Sequence, residues 1–355
     1  MGDGVSKRYQ IALPAPFEEI LQRDPKLHSS VLDALNTFRQ WLDASDMPFF
    51  PEYTEHGPAH VTSVIGTAWL CLNDAAQAAL RSVDVAVLSL AALLHDAAMH
   101  LSEEGFLALL KEEELAAPLP GFKEQDWRTL WQDFSAEALR WDERQLLDVF
   151  GEPEPLLSIT LDTLQMTKKH RLAIGVFLRQ HHHRLAHEIA MRGVPGPNGQ
   201  RMKILNIPPD ILNLAGIVAR SLRASSDHVR EGLLRAVDRS RIVLLMVSLR
   251  IADFLDAKPD RAPSQVTLTR RLCSPISQQE HKVNQCISSI SFEEDDPCAI
   301  AVRAQPPDAQ IYVRMRKWLD TLESEIGAAG AFLGEIRARN AHRWSKIPTS
   351  QVEFG

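Results

Sequence analysis

The stretch SVDVAVLSLAALLHDAAM at residues 82–99 is apolar on almost every side and has the pair His95-Asp96 near its end. A helix that is hydrophobic all round lies in a protein core, so this stretch predicts a buried helix. A carboxylate beside an imidazole is costly to bury unless a cation or hydrogen-bonded partners compensate. A metal ion would compensate for both groups at once. The alternative is that the two side chains cap the helix end or bond to neighbouring backbone.

Two further histidines precede this helix. The segment FFPEYTEHGPA at residues 49–59 is an extended lead-in, and Pro58 suits the first turn of a helix that continues to about residue 80. His60 lies in that first turn, and His56 lies just before it. We favour His60 as a metal ligand because a helix holds an imidazole more firmly than a lead-in does. His56 remains the alternative for the same position.

A carboxylate far along the chain has a similar environment. Asp253 lies in SLRIADFLDAKPDR, residues 248–261, where the surrounding side chains are largely apolar. Taken alone, such a residue would face solvent or pair with Arg250 through helical spacing. Together with His60 and His95-Asp96, we expect Asp253 to be a fourth ligand.

The order H…HD…D formed by these residues resembles the HD superfamily of metal-dependent phosphohydrolases. The phrases YTEHGPAH, LAALLHDAAMH and RIADFLDAKPDR are similar to HD domains of bacterial multidomain proteins, some of which precede an Hsp90-like ATPase module. The resemblance covers roughly residues 48–262. It implies a mainly α fold, an HD-type helical bundle, to which the later sequence adds a small β-appendage near the C-terminus.

The resemblance also implies a site. His60, His95, Asp96 and Asp253 would bind a divalent metal ion, and their nitrogen and oxygen donors suit Mn, Mg, Fe or Zn. Asp96 and His56 would be the catalytic residues. The metal would lower the pKa of a bound water and polarise a phosphoryl oxygen, so the expected reaction is hydrolysis of a nucleotide or related phosphate ester.

Basic residues at two places are candidates for binding the substrate phosphate. In RQHHHRLAH, residues 179–187, Arg179, His182 and His183 can share one helix face and resemble phosphate-binding cations or second-metal ligands. Lys258 and Arg261 follow Asp253 closely and are candidates for the same phosphate. The alternatives are a solvated basic face for the first group and a solvated turn for the second.

One departure from the family pattern keeps a second function open. Related domains often have a further histidine near the end of the helix that ILNLAGIVARSLRA forms here, whereas this chain has Leu222 and Arg223, with His228 only later. The difference weighs against a two-metal site. The second function is a catalytically degenerate HD module that senses a nucleotide or acts as a scaffold for a partner protein of the ATPase type.

The domain organisation follows from a change of pattern after Pro263. Residues 1–262 are expected to form the helical domain, with 101–150 as an insertion or lid. Residues 263–355 are expected to form a small region of β-strands and helices that packs on this domain. Residues 315–340 return to an amphipathic helix. Short alternating runs predict the strands of the appendage: SQVTLTRRL, QCISSISF, CAIAVRA and AQIYVRM.

Composition limits the partners. The net charge of -7 disfavours a broad hold on nucleic acid, and basic runs such as RMRK at 314–317 are short. The four cysteines include no C-x-x-C pair, which argues against a zinc knuckle or a disulfide framework. Neither a long apolar run nor a signal-type start occurs, so we expect a cytoplasmic protein without membrane contact. The expected ligand is small and phosphate-containing, in the first instance a nucleotide. The aromatic residues of 101–150 could pack on the domain itself or on a second copy, which makes an oligomer an alternative.

Overall fold

The protein is mainly helical, as predicted. The computed structural model describes residues 10–112, 124–155, 166–221, 239–269, 272–292, 300–337 and 350–354. The α-helices of these residues are α1 Ala15–Leu21, α2 Pro25–Ala44, α3 Pro58–Leu70, α4 Asp74–Ala79, α5 Ser82–Leu94, α6 Glu103–Lys111, α7 Trp127–Ala138, α8 Glu143–Phe150, α9 Lys168–Arg192, α10 Pro209–Arg220, α11 Arg239–Leu255, α12 Ser264–Thr269, α13 Pro275–Cys286 and α14 Ala309–Arg337. None of the helices in these ranges is both long and apolar enough to cross a bilayer.

Helix α5 is the centre of the bundle. From Asp84 to Leu94 its side chains are buried, which agrees with the prediction from its all-round apolar pattern. Helices α2, α3, α9, α10 and α11 pack around it. The helix ends at His95 as its C-cap, and a 3-10 turn over Ala97–His100 follows. The last turn of the most buried helix therefore delivers the His-Asp pair into the core.

The lead-in to α3 lies against the N-terminal third of α9, at Gly175. A Cβ at this position would collide with the backbone carbonyl of Phe49, so only glycine lets the two segments approach so closely. This contact brings the histidine-containing end of the lead-in over the face of α9.

The aromatic residues of 101–150 that the structure describes belong to the core of the same chain. Phe106, Trp127 and Trp131 are almost fully buried and meet Phe177 of α9 edge to face, with ring centroids 5.2–6.4 Å apart. The indole nitrogen of Trp127 also donates to Glu188 at 2.6 Å. These side chains pack on the domain itself. Phe122, which belongs to the same sequence pattern, lies outside the described residues.

The β-structure is small. A hairpin pairs β1 Val194–Pro195 with β2 Arg201–Met202, and the glycine- and proline-containing segment PGPNGQ at 195–200 supplies its turn. Near the C-terminus β3 Ile287–Phe292 runs antiparallel to β4 Ile300–Ala304, which pairs in parallel with β5 Ser350–Phe354. The predicted appendage is confirmed, and two of its four expected strands, QCISSISF and CAIAVRA, are present.

The other two expected strands are helices. Residues 309–315 begin α14, because the side chain of Asp308 caps the helix start at the amide of Ile311 and the spacing of Ile311 and Met315 buries both on one helical face. Residues 264–269 form α12, where Leu268 is 83% exposed. The apolar side chain that a strand would bury against a sheet is thus left in solvent, and the run forms a short helix instead.

Candidate metal centre

Four side chains from three helices converge in the core. His60 comes from the first turn of α3, His95 and Asp96 from the end of α5, and Asp253 from the last turn of α11. One donor atom from each lies within 4.8 Å of the others. His95 Nε2 is 3.2 Å from Asp96 Oδ2, and the Nε2 atoms of His60 and His95 are each 3.5 Å from Asp253 Oδ1. These are the four residues that the sequence singles out as ligands.

Hydrogen bonds on the far side of each ring orient the two imidazoles. His60 Nδ1 lies 2.6 Å from Asp256 Oδ2, and His95 Nδ1 lies 2.7 Å from the carbonyl oxygen of Ala92. A carboxylate and a carbonyl only accept hydrogen bonds, so each Nδ1 is the donor and each neutral ring has its lone pair on Nε2. Both lone pairs therefore point into the cluster.

The two Nε2 atoms are 3.1 Å apart. Two lone pairs at this distance repel unless a proton or a metal ion lies between them. Donors about 2.1 Å from one ion and at right angles around it would be about 3 Å apart, which is the separation found here. The residues present therefore fit a metal ion, with two imidazole and two carboxylate donors.

Two carboxylates that support the cluster are not apparent from the sequence. Glu55 accepts hydrogen bonds from the amides of Gly57 at 2.6 Å and His60 at 3.1 Å, and so caps the start of α3. Asp256 accepts from Ser63 Oγ at 2.5 Å as well as from His60. The only sequence signal for Asp256 was its position three residues after Asp253, one helical turn further along.

Without a metal, a proton on His95 offsets part of the negative charge of the cluster. Burial alone would lower the pKa of His95, but the carboxylates of Asp96 and Asp253 raise it well above its usual value. Burial alone would raise the pKa of Asp96 and Asp253, but their interactions with the histidines hold both values low. A proton on His95 can thus occupy the space between the two Nε2 atoms when no cation does.

His56 borders the cluster without joining it. Its Nδ1 donates to the carbonyl of Thr54 at 2.6 Å, and its Nε2 lies 3.9 Å from Asp96 Oδ2. Burial and the nearby Arg261 guanidinium lower the pKa of His56, so its ring is neutral. Of the two alternatives for the first ligand, the structure brings His60 together with the other three.

The candidate phosphate-binding residues divide into two groups. Arg179 Nη1 and His182 Nε2 lie 3.9 and 4.0 Å from Asp96 Oδ1, respectively. Arg179, His182 and Arg261 all line a cavity that opens from the cluster. Lys258 is not among the lining residues, since its ammonium pairs with Asp256 Oδ1 at 2.8 Å and bonds Ser63. His183 does not line the cavity either; its ring stands at right angles to that of His182. His228 lies outside the described residues.

The cavity has a volume of about 800 Å³. Asp96 and Asp253 form one part of its wall, and the lead-in before α3 forms another. Helices α8, α9 and α11 contribute further residues, and helices α13 and α14, from beyond residue 262, line another side. Residues of the C-terminal region therefore share one cavity with the cluster.

Glu52 joins the lead-in to this C-terminal side. Its buried carboxylate accepts hydrogen bonds from the backbone amides of Cys273 and Ser274, both at 2.8 Å. Its backbone carbonyl accepts from His281 Nε2 of α13 at 3.1 Å. Nothing in the local sequence PEYTE distinguishes this glutamate from a solvated one, so its role appears only in the folded chain.

Comparison with known proteins gives one match. A family model described as HD-CE matches residues 50–328, well over half of the chain. No curated protein and no solved structure matches the chain. The matched range contains all four cluster residues and continues through most of α14. It concerns the HD-type domain alone, so the expected ATPase-type partner stays a prediction.

Proposed function

The chain belongs to the HD-CE family, and from this we propose that it is a metal-dependent phosphohydrolase that hydrolyses a nucleotide or related phosphate ester. The observation that carries the proposal is the pair of Nε2 atoms, 3.1 Å apart with both Nδ1 atoms already bonded elsewhere. Together with two carboxylates, this arrangement suits a cation better than it suits an empty core.

His60, His95, Asp96 and Asp253 would hold the ion. When bound, a divalent ion lowers the pKa of a water molecule and polarises a phosphoryl oxygen. Imidazole nitrogens favour iron or zinc, whereas carboxylate oxygens suit manganese or magnesium, so the mixed donor set fits each of these ions. Asp256 and the carbonyl of Ala92 would keep the two rings in the binding orientation.

Arg179, His182 and Arg261 would receive the phosphate. All three line the cavity beside Asp96, and Arg261 Nη2 is buried without a hydrogen-bond partner among the described residues. A buried guanidinium nitrogen in this condition favours a ligand oxygen, and charge-assisted bonds of this kind stabilise charge that develops on a phosphate.

His56 and Asp96 are the proposed catalytic residues. Because Nδ1 of His56 donates to Thr54, its Nε2 lone pair faces Asp96 and is available to accept a proton from water. Asp96 Oδ2 faces His60 and His95, and Asp96 Oδ1 faces Arg179 and His182. It would therefore connect the metal ligands with the phosphate-binding side chains.

The test combines metal analysis with activity. We expect the purified full chain to contain a divalent metal and to hydrolyse phosphomonoesters or phosphodiesters when supplied with manganese, iron, zinc or magnesium. His95→Ala should lose both metal and turnover, whereas His28→Asn, a histidine of α2 outside the cluster, should retain both. A wild-type chain that binds no metal would refute the proposal. Metal binding without turnover of any nucleotide or generic ester would instead favour the nucleotide-sensing alternative.

A further inference from the structure

The side of the cavity formed by α13 and α14 lies beyond the groups assigned to metal and phosphate. Ligand cavities typically measure about 300–1,000 Å³. The cavity here, at about 800 Å³, leaves ample space beside a phosphate for a larger part of the ligand. The composition of this side indicates what that part is.

Helix α14 has two adjacent stripes with different roles. Its core stripe consists of buried apolar residues at helical spacing, Ile311, Met315, Leu319, Leu322 and Ile326. A second stripe at positions i, i+4, i+7 and i+11 lines the cavity, and we call it the cavity stripe: Arg314, Trp318, Thr321 and Glu325. Trp318 is thus a large aromatic side chain that this helix directs to the cavity instead of the core.

The indole of Trp318 is half-buried and has a free donor. It packs against the edge of the core, and its N–H has no hydrogen-bond partner among the described residues. Phe254 of α11 lines the same cavity. An aromatic face of this kind, open on one side, is suited to stacking with a flat ring.

The charges around Trp318 argue against a second phosphate in this part of the cavity. Arg250 donates to Glu325 at 2.7 Å, and Arg314 donates to Glu280 at 3.0 Å, so each arginine already faces a carboxylate. A further phosphate would meet these carboxylates. A purely apolar group would remove water from both ion pairs at a cost. A flat heteroaromatic ring that has both donors and acceptors avoids both problems.

The position of α11 sets the distance between the two parts of the cavity. Arg250, Asp253 and Phe254 share one face of this helix and all line the cavity. Arg250 precedes the metal-binding candidate Asp253 by three residues, which is about 4.5 Å along the helix axis. The Arg250–Glu325 pair, at one end of the cavity stripe, therefore lies about one helical turn from the proposed metal site.

We propose that the cavity stripe of α14, with Trp318 at its centre, binds the nucleobase of a mononucleotide whose phosphate lies at the metal centre. This inference rests on the proposed function for the position of the phosphate. It makes Trp318 a specificity-determining residue, and it assigns substrate selection to helices that follow the metal ligands in the chain.

The test measures binding of ribonucleosides, which lack phosphate, to the full chain in the presence of EDTA. Adenosine, guanosine, cytidine and uridine are titrated by calorimetry, so that neither metal nor turnover contributes. Loss of one base–aromatic stack weakens binding roughly 5- to 150-fold, and this is the loss expected for Trp318→Ala. Trp318→Phe retains an aromatic face and should recover most of the affinity.

The control is Trp69→Phe, another half-buried tryptophan, which packs on Phe17 and does not line the cavity. It should bind nucleosides as the wild type does, and thermal unfolding should show that every variant folds. The proposal is overturned if no nucleoside binds the wild type, or if Trp318→Ala binds as tightly as Trp318→Phe. Because the assay needs neither metal nor hydrolysis, its failure is distinguishable from failure of the phosphohydrolase proposal.

Discussion

Asp256→Asn tests whether the orientation of His60 controls metal affinity. The Asp256 carboxylate accepts from His60 Nδ1 at 2.6 Å with one oxygen and from Ser63 and Lys258 with the other. An amide has one accepting oxygen, so it cannot serve all three donors. Loss of such an outer partner typically weakens metal binding about 10- to 100-fold. This corresponds to about 1.4–2.7 kcal/mol of binding free energy.

The measurement is the metal dissociation constant from competition with a chelator of known affinity at constant pH. Asp84→Asn is the matched control. Asp84, like Asp256, is a buried carboxylate with charged partners, here Arg81 and Arg241, but it lies at the end of α5 opposite to His95. It should alter stability and leave metal affinity unchanged. If Asp256→Asn binds metal as tightly as Asp84→Asn, the ring orientation does not control the site and the reasoning fails.

Two further predictions concern protonation and packing. The raised pKa of His95 stabilises the metal-free fold fully below pH 6.5, and this contribution is lost as pH rises through the raised value. As pH rises through the raised pKa of His95, protein kept metal-free with a chelator should therefore lose free energy of unfolding. Metal binding should strengthen over the same pH range and release protons, and a metal affinity that does not depend on pH would contradict this. Gly175→Ala should destabilise the fold by about 1–3 kcal/mol in denaturant titrations through collision with Phe49. Gly66→Ala, with open space around its Cβ, should gain up to about 1 kcal/mol, and equal effects would refute the packing argument.

The ligand positions were predictable because polar groups on apolar helices are conspicuous. His95-Asp96 ends an almost wholly hydrophobic helix, and Asp253 interrupts another apolar run. The structure brings both, with His60, into one cluster. No comparable contrast marks Asp256 or Glu52, because each occurs in a polar stretch where a carboxylate is ordinary.

The partners of these two carboxylates lie far away in the chain. Asp256 contacts His60 from 196 positions away, and Glu52 contacts Ser274 from 222 positions away. Sequence proximity also did not reveal that the ammonium of Lys258, a candidate for the phosphate, pairs with Asp256. Long-range contacts of this kind depend on how helices pack, which one sequence does not reveal.

The C-terminal region shows where the spacing of apolar residues no longer predicts the type of secondary structure. Residues 309–315 alternate over too few positions to separate a strand from a helix, and burial of Ile311 with Met315 decides for the helix. Of the cavity stripe, Trp318, Thr321 and Glu325 fall within the helix predicted at 315–340, and only Arg314 falls within the run predicted as a strand. Periodicity did not show that this stripe faces a cavity, because the cavity forms only when distant helices pack together.

The Glu52 contacts have a consequence for how this protein can be divided. A fragment that stopped at residue 262 would deprive the Glu52 carboxylate of the amides of Cys273 and Ser274, and would remove the His281 donor to its carbonyl. The same lead-in presents the neighbouring histidines to the core. Chimeras that graft the first part onto a foreign C-terminal segment should therefore inherit a damaged centre, so both parts have to be exchanged together.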